Sequence, residues 1–487
     1  MGRARTPLID RAGPDDVLQL AVDRGRVPMA IGALLVLSHE ARPPADELRS
    51  ILLRRASAVP RLGQRLVRTP PGAGRPVWLG AGPLAGAHLV DEVRVDAGDP
   101  DRGNARRPVP RPLLDATADL VLTRLPLDRP LWRARLLVDD GRRVVAVVVV
   151  AHHVLADGMG GLAVLGALAD GVEPAAVSAE RAAGSVTTYT ATDAATDAAT
   201  GAGAGSVTPD TATGSVAATS DALPPWSVLA RDAWGSRARS VPALKATRAR
   251  LGRGVTELGL RRPALAERCS LLGGTSGRRR LEVVTADLAG VHAAARARGA
   301  TVNDVVVTAV TGALVDLLAR RGEHVEEVVV SVPVTRRGQG EASSLGNATG
   351  VVPVRVPAVA DPRARLDAVV AQRGRVRAPG RGGSAAVLTP AFRLLAGIGA
   401  FQAFIDHQRL VHTFVTNVRG PAERLHLAGA EVVAVVPVAV NPGNVAVSFD
   451  VLSCAGTLAV TLVLDPGLVQ ESAWLADRVA EGLAAFT

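Results

Sequence analysis

Two adjacent histidines, His152 and His153, are followed after three residues by Asp157 and Gly158, in the run His-His-Val-Leu-Ala-Asp-Gly. Histidine is the side chain most readily poised near neutral pH, and a neutral imidazole can take the proton of an attacking hydroxyl. His153 is assigned that role of general base. Asp157 sits where it can brace the turn, or cap a helix starting at Gly158 through that helix's free N–H groups. Gly158, Gly160 and Gly161 allow a neighbouring backbone or a ligand to approach closely. Taken alone, the pattern fits equally well a packed strand end with an aspartate that only caps. A metal site is the weaker reading, because no third ligand accompanies the pair.

The flanking elements must hold this motif rigid. Residues 144–151 are a nearly continuous valine run, the pattern of a strand buried on both faces, and residues 158–168 have helical apolar spacing. The motif therefore lies at a strand-to-helix junction, where rigid elements present a side chain at an edge. Further strands are expected at 29–37, 328–333, 351–356, 411–418, 431–440, 445–452 and 458–464. Helices are expected at 45–56, 301–318 and 472–485. Strands and helices in both halves predict a mixed α/β fold of two packed layers. The last four strands follow one another closely, so part of the second sheet should be antiparallel. Residues 172–223 are mostly Ala, Thr, Gly, Ser and Asp, with too little apolar surface to offset the entropy of ordering. The expected division is thus an N-terminal subdomain (1–171), a linker (172–223) and a C-terminal subdomain (224–487).

Composition limits the partners. The 487 residues are 48% hydrophobic, as in a globular chain, and carry a formal net charge of +10. A basic balance attracts anions, but aromatics are only 2% and no aromatic-basic stripe offers bases a stacking platform. Nucleic acid is not an expected partner; anionic lipid or a phosphate-bearing molecule is. Cys269 and Cys454 stand far apart, without disulfide or zinc spacing, which points to a reducing compartment. No uninterrupted apolar stretch is long enough to span a bilayer, so a soluble or peripheral protein is expected. Phe392, Phe401 and Phe404 fall on one apolar helical stretch, 385–410. That stretch is read as a core helix by default, with an acyl-channel wall or a lipid-facing surface as the alternatives. The nearby basic residues Arg373, Arg375, Arg377 and Arg381 could meet lipid headgroups or phosphates.

The motif and its surroundings resemble the bacterial wax ester synthase/diacylglycerol acyltransferase family, within the wider group of His-x-x-x-Asp acyltransferases. The family's His-His-x-x-x-Asp-Gly motif is His152–Gly158 here. Pro-Leu-Trp ends at Trp132, and Val59-Pro-Arg-Leu-Gly-Gln-Arg-Leu is similar to an early family segment. Val302-Asn303-Asp304-Val305 resembles an Asn-Asp motif. Thr416-Asn417-Val-Arg-Gly420-Pro421 resembles a Ser-Asn-Val-x-Gly-Pro segment, and Leu452-Ser-Cys-Ala-Gly456 a late Leu-Ser-Tyr-x-Gly segment. The matches run in order over most of the chain. Departures are Thr416 for Ser, Cys454 for an aromatic, and Ala87-His88 where the family tends to carry a Phe-Asp run.

The resemblance implies two chloramphenicol-acetyltransferase-like subdomains with an active-site tunnel between them. It implies acyl-CoA as donor and co-substrate, with no other cofactor and no metal, and diacylglycerol or a long-chain alcohol as acceptor. His153 would deprotonate the acceptor hydroxyl for direct attack on the thioester, without an acyl-enzyme. His152 would shape the site, and Asp157 and Gly158 would support its turn. Asn303 and Asp304 would lie near it, helix capping being the equal alternative. Thr416 or Asn417 would donate to an oxyanion, or else only form a strand-end turn. The expected location is cytoplasmic, peripheral on the inner membrane face or a lipid-droplet surface. Two other readings stay open: an inactive, lipid-holding relative, and a condensation-type enzyme using a carrier-bound thioester.

Overall fold

The computed structural model of the chain describes residues 9–84, 89–96, 108–171, 221–240, 265–335, 349–377, 392, 394–440 and 443–486. The Ala/Thr-rich segment expected as a linker lies outside them up to residue 220, as do Ala87, His88 and all of 378–391, Arg381 included.

Short β-branched runs become strands, while the longer amphipathic or apolar stretches rich in Ala and Leu become helices. The first half contains α1 (Pro14–Val22), β1 (Ala30–Leu37), α2 (Ala45–Ser57), β2 (Gln64–Val67), β3 (Val77–Gly80) and β4 (Val90–Arg94). It continues through α3 (Arg111–Val121), β5 (Trp132–Val138), β6 (Val144–His152) and α4 (Gly158–Leu168). The second half begins with α5 (Trp226–Ser240), β7 (Arg280–Asp287), α6 (Leu288–Arg296), α7 (Val302–Arg320), β8 (Glu327–Thr335), β9 (Thr349–Pro357) and α8 (Pro362–Arg377). It ends with α9 (Phe401–Asp406), β10 (Thr413–Arg419), β11 (His426–Leu427), β12 (Ala430–Ala439), β13 (Val447–Cys454), β14 (Thr457–Leu464) and α10 (Ser472–Ala484).

Two six-stranded sheets carry the molecule, in the orders β11-β12-β1-β6-β5-β4 and β7-β14-β13-β10-β8-β9. Both are mixed. β4 pairs parallel with β5, β10 runs parallel to both β8 and β13, and the other pairings are antiparallel. The fold is therefore the mixed α/β architecture expected from the sequence. β6 is buried along its whole length because β1 and β5 flank it and both its faces are packed, which is what its valines require.

The last four strands do not share one sheet. Parallel neighbours cannot be joined by a tight turn and need a crossover. Between β10 and β13 that crossover is an excursion: the chain leaves the second sheet, adds β11 and β12 to the edge of the first against β1, and returns. The first sheet is thus completed by second-half residues, and β12 ties the halves together. Val436, Val438 and Val440 pack in one core with Leu34, Val148 and Val150 of the first half and Leu281 and Val463 of the second.

The second half has its own core around α7, whose sequence is apolar on every side. By length and composition α7 could cross a membrane, but here 78% of it is buried inside the protein, between α10, α8 and the sheet. Its start is fixed by a reciprocal capping box between Thr301 and Asp304. Phe392, Phe401 and Phe404 stack against one another, with ring centroids 5.3–6.0 Å apart, and pack on Leu18, Val22 and Met29. They form a small core there, but the described part of the stretch is not one core helix: Leu394 and Ile398 are exposed and α9 begins only at Phe401.

Candidate active site

Adjacent residues on a strand point to opposite faces, so the two histidines cannot share a cavity. Val149 and Ala151 line an apolar cavity of about 120 Å³, and His153, continuing their parity, lines it too. The His153 backbone N–H bonds the carbonyl of Met29 at 2.8 Å, which fixes the strand end against the entry to β1. His152 turns to the other face and is buried. Its Nδ1 accepts from the N–H of Val154 at 3.0 Å, so its proton belongs on Nε2, which lies 3.4 Å from Asp23 Oδ2. That is longer than a good hydrogen bond.

Asp23 also accepts from the Met29 N–H at 2.8 Å and pairs with Arg124. Burial raises its carboxyl, but the His152 ring, the Met29 N–H and the Arg124 charge outweigh burial and hold it below the usual aspartate value. His152 thus holds the turn through Nδ1, while Nε2 faces Asp23 at the longer distance. His152→Ala is expected to lower stability by about 1–3 kcal/mol, because it orphans the Val154 N–H. It should reduce the turnover of folded protein far less than loss of His153, as paired chemical-denaturation and rate measurements would show.

Asp157 caps α4. It is buried, its backbone is extended, and Oδ1 accepts from the Gly160 N–H at 3.0 Å. The next residue has to be small: a Cβ on Gly158 would lie 2.9 Å from Cγ2 of Val418, on β10 of the second half. The motif's glycine lets this turn touch the opposing sheet.

The second half supplies the rest of the cavity wall. Thr416 on β10 and Asp450 on β13 are register partners of the parallel pair, so their side chains lie side by side. Thr416 Oγ1 and Asp450 Oδ1 are 2.6 Å apart, and the N–H of Ala439, at the end of β12, donates to Asp450 Oδ2 at 2.7 Å. Burial pushes the Asp450 carboxyl up to about 7, against the lowering effect of these two bonds. Both Thr416 and Asp450 line the cavity with His153, Gly158 and Gly161.

The remaining sequence candidates form a separate cluster behind β10. Asn417, one residue on from Thr416, faces the opposite way, and its Nδ2 donates to Asn303 Oδ1 at 3.3 Å. Asp304 accepts from the Thr301 N–H at 2.8 Å and from Arg373 at 2.6 Å. Asn303, Asp304 and Asn417 are all buried, and none lines the cavity. The structure therefore gathers His153, Gly158 and Thr416 at the cavity, with Asp157 capping the turn, while His152 holds that turn from the other face.

Asp23 and Asp450 were not singled out from sequence. Asp23 is far from His152 along the chain and carried no local signal. Asp450 carried one: a lone carboxylate inside the apolar run Val445–Leu452, where a charged residue is rarely buried without a reason. Among the described residues, no group of three His, Cys, Asp or Glu is placed to hold a metal ion.

A cavity walled by two mixed sheets, with a histidine at its strand-to-helix turn, has close counterparts among solved structures. The wax ester synthase/diacylglycerol acyltransferase from Marinobacter aquaeolei VT8 superposes with a TM-score of 0.63 at 21% identity, over 98% of each chain. The first condensation domain of the calcium-dependent antibiotic synthetase superposes with a TM-score of 0.56 at 18% identity, over 99% of this chain and 96% of that one. These likenesses define the class of fold. Residues 13–306 match the wax ester synthase/diacylglycerol acyltransferase catalytic domain, and residues 345–486 match the C-terminal domain of the same family. A probable diacylglycerol O-acyltransferase of Mycobacterium tuberculosis is 28% identical over 477 residues, covering 95% of this chain and 92% of that protein. The chain belongs to the wax ester synthase/diacylglycerol acyltransferase family, and is an O-acyltransferase of neutral-lipid type.

Proposed function

We propose that the cavity between the sheets is where an acyl group passes directly from acyl-CoA to the hydroxyl of diacylglycerol or a long-chain alcohol, with His153 as the base. The observation that carries this reading is the position of His153, the one histidine among the described residues of a mostly apolar cavity walled by both halves. As His153 takes the acceptor's proton, the oxygen's electron pair forms a bond to the thioester carbon and the carbonyl pair moves onto oxygen. When the C=O bond reforms, the C–S bond breaks and the leaving sulfur takes the proton back from the imidazolium. Thr416, across the cavity, is the hydroxyl placed to donate to the oxyanion.

Acceptors this insoluble must come from a lipid surface. Leu394 and Ile398, exposed beside the phenylalanine cluster, are apolar side chains that a peripheral contact would use. We place the protein at such a surface on the cytoplasmic side.

Incubated with palmitoyl-CoA and either dioleoylglycerol or hexadecanol, the purified protein is expected to release CoA and form ester in equal amounts. A burst of CoA without acceptor would indicate an acyl-enzyme and overturn direct transfer. Ester formation only from a carrier-bound thioester would overturn acyl-CoA as donor. Lipid binding without any ester would favour a lipid-holding relative.

A further inference from the structure

A carboxyl group is out of place in this cavity. Asp450 is only 3% exposed and is flanked on its strand by buried Phe449, Val451 and Leu452. Of the described residues that line the cavity, contributed by β1, β6, α4, β10, β12 and β13, His153 is the only other titratable group, and none carries a permanent charge. An ionised Asp450 would therefore be a buried anion with no permanent cation beside it. It would also share a low-dielectric space with the oxyanion that acyl transfer creates, and the two would repel.

The hydrogen bonds at Asp450 say where its proton sits when it is neutral. Oδ2 accepts from the Ala439 N–H, so Oδ2 is the carbonyl-like oxygen and the acid proton belongs on Oδ1. Oδ1 has Thr416 Oγ1 at 2.6 Å, a distance that suits a donor on either side. With an ionised Asp450, the Thr416 proton must point at Oδ1 and is lost to the cavity. With a neutral Asp450, Oδ1–H donates to Oγ1 and the Thr416 proton is released. Its other local acceptor, the Phe449 carbonyl, lies 3.4 Å away.

We propose that Asp450 is a positioning residue: as the neutral acid it donates to Thr416 and so turns the Thr416 hydroxyl into the cavity, toward the thioester carbonyl oxygen as that oxygen becomes an anion. The proposal rests on the reading of this cavity as the site of acyl transfer. Asp450 neither gains nor loses a proton in the reaction. Its protonation state sets which way another residue's hydrogen points. The burial that raises its pKa to about 7 keeps the neutral form populated near neutral pH.

Asp450→Asn separates this role from others. The amide carbonyl can accept from the Ala439 N–H while the NH₂ donates to Thr416, reproducing the neutral acid at every pH. Turnover of the wild-type protein should fall by about tenfold per pH unit above pH 7 as Asp450 ionises, until the level of a protein lacking the Thr416 donor is reached. D450N should lack that falling limb and recover most of the turnover that D450A loses. T416V should lose about 10²-fold in kcat with little change in KM, as removal of an oxyanion donor does. The double variant T416V/D450A should be no worse than T416V, since Asp450 acts through Thr416.

A falling limb that persists in D450N overturns the proposal. So does a D450N variant as impaired as D450A, which would mean the carboxylate itself is needed, for instance to balance the His153 imidazolium. These outcomes are separate from failure of the site assignment, which would show instead as full turnover in a protein lacking His153.

Discussion

Replacing His153 with alanine is expected to lower turnover by about 10²–10⁴-fold, the usual contribution of a positioned general base. The fold should survive, because the strand end and the helix cap are fixed by other groups. The bond from the residue-153 N–H to the Met29 carbonyl is made by backbone, and the α4 cap is made by Asp157. The His153 ring stands in the cavity wall, whereas the ring that holds the turn is that of His152, bonded to Val154 and facing Asp23. Ester formation and CoA release, measured on protein whose thermal or urea unfolding matches the wild type, would test this. Full turnover in His153→Ala would remove the base from the mechanism. The contrast with His152→Ala is the sharper form of the test: two adjacent histidines, one lost for chemistry and one for stability.

Strand parity up to His152, continued into the turn by the bond of the His153 N–H to Met29, accounts for that contrast. The valine run of β6 states that its residues alternate between two buried faces, so only one of the two histidines can look into a given cavity. Which face holds the cavity was not legible in the sequence, since it depends on where β10 and β13 of the other half arrive. The same limit explains the strands and helices that periodicity passed over. β5 interleaves arginines with its apolar residues because Arg135 reaches Asp91 on β4, and α8 is so rich in arginine that its apolar face hardly shows. The excursion of β12 into the first sheet is likewise set by the pairing needs of β1, near the other end of the chain, and not by anything within the segment. Its consequence for the site is large, since it carries the Ala439 N–H to Asp450. The partnership of Thr416 with Asp450 is a register fact: parallel strands separated by a crossover bring them together, and no local spacing announces it. Alternation does account for Asn417, which must face away from Thr416 and therefore away from the cavity.

The Asn-Asp pair at 303–304 is where a family motif and a catalytic role part company, and Asp304→Ala would show it. Asp304 is fully buried, and one of its oxygens gathers the Thr301 N–H, the Thr301 hydroxyl and the Arg373 guanidinium at 2.6–2.9 Å. It closes the capping box of α7 and, through Arg373, binds α8 to the turn before α7, where Arg373 also reaches the Gly299 carbonyl at 2.6 Å. Alanine would leave a mostly buried guanidinium without its counter-charge and would open the cap. Breaking a buried ion pair from one side costs about 3–5 kcal/mol, a large part of the stability of a typical domain. Activity should fall too, but by a different route. α7 carries Asn303, which holds Asn417 on the back of the strand that presents Thr416, so loosening α7 depopulates the folded site. Assayed at low temperature or with a stabilising osmolyte, the folded fraction of Asp304→Ala should turn over within about threefold of the wild type, whereas His153→Ala should not recover under any such condition. Asp304→Asn, which keeps an acceptor for the Thr301 N–H but loses the charge facing Arg373, should fall between alanine and wild type in stability. A stable Asp304→Ala protein with a collapsed kcat would reverse the assignment and bring Asp304 into the chemistry.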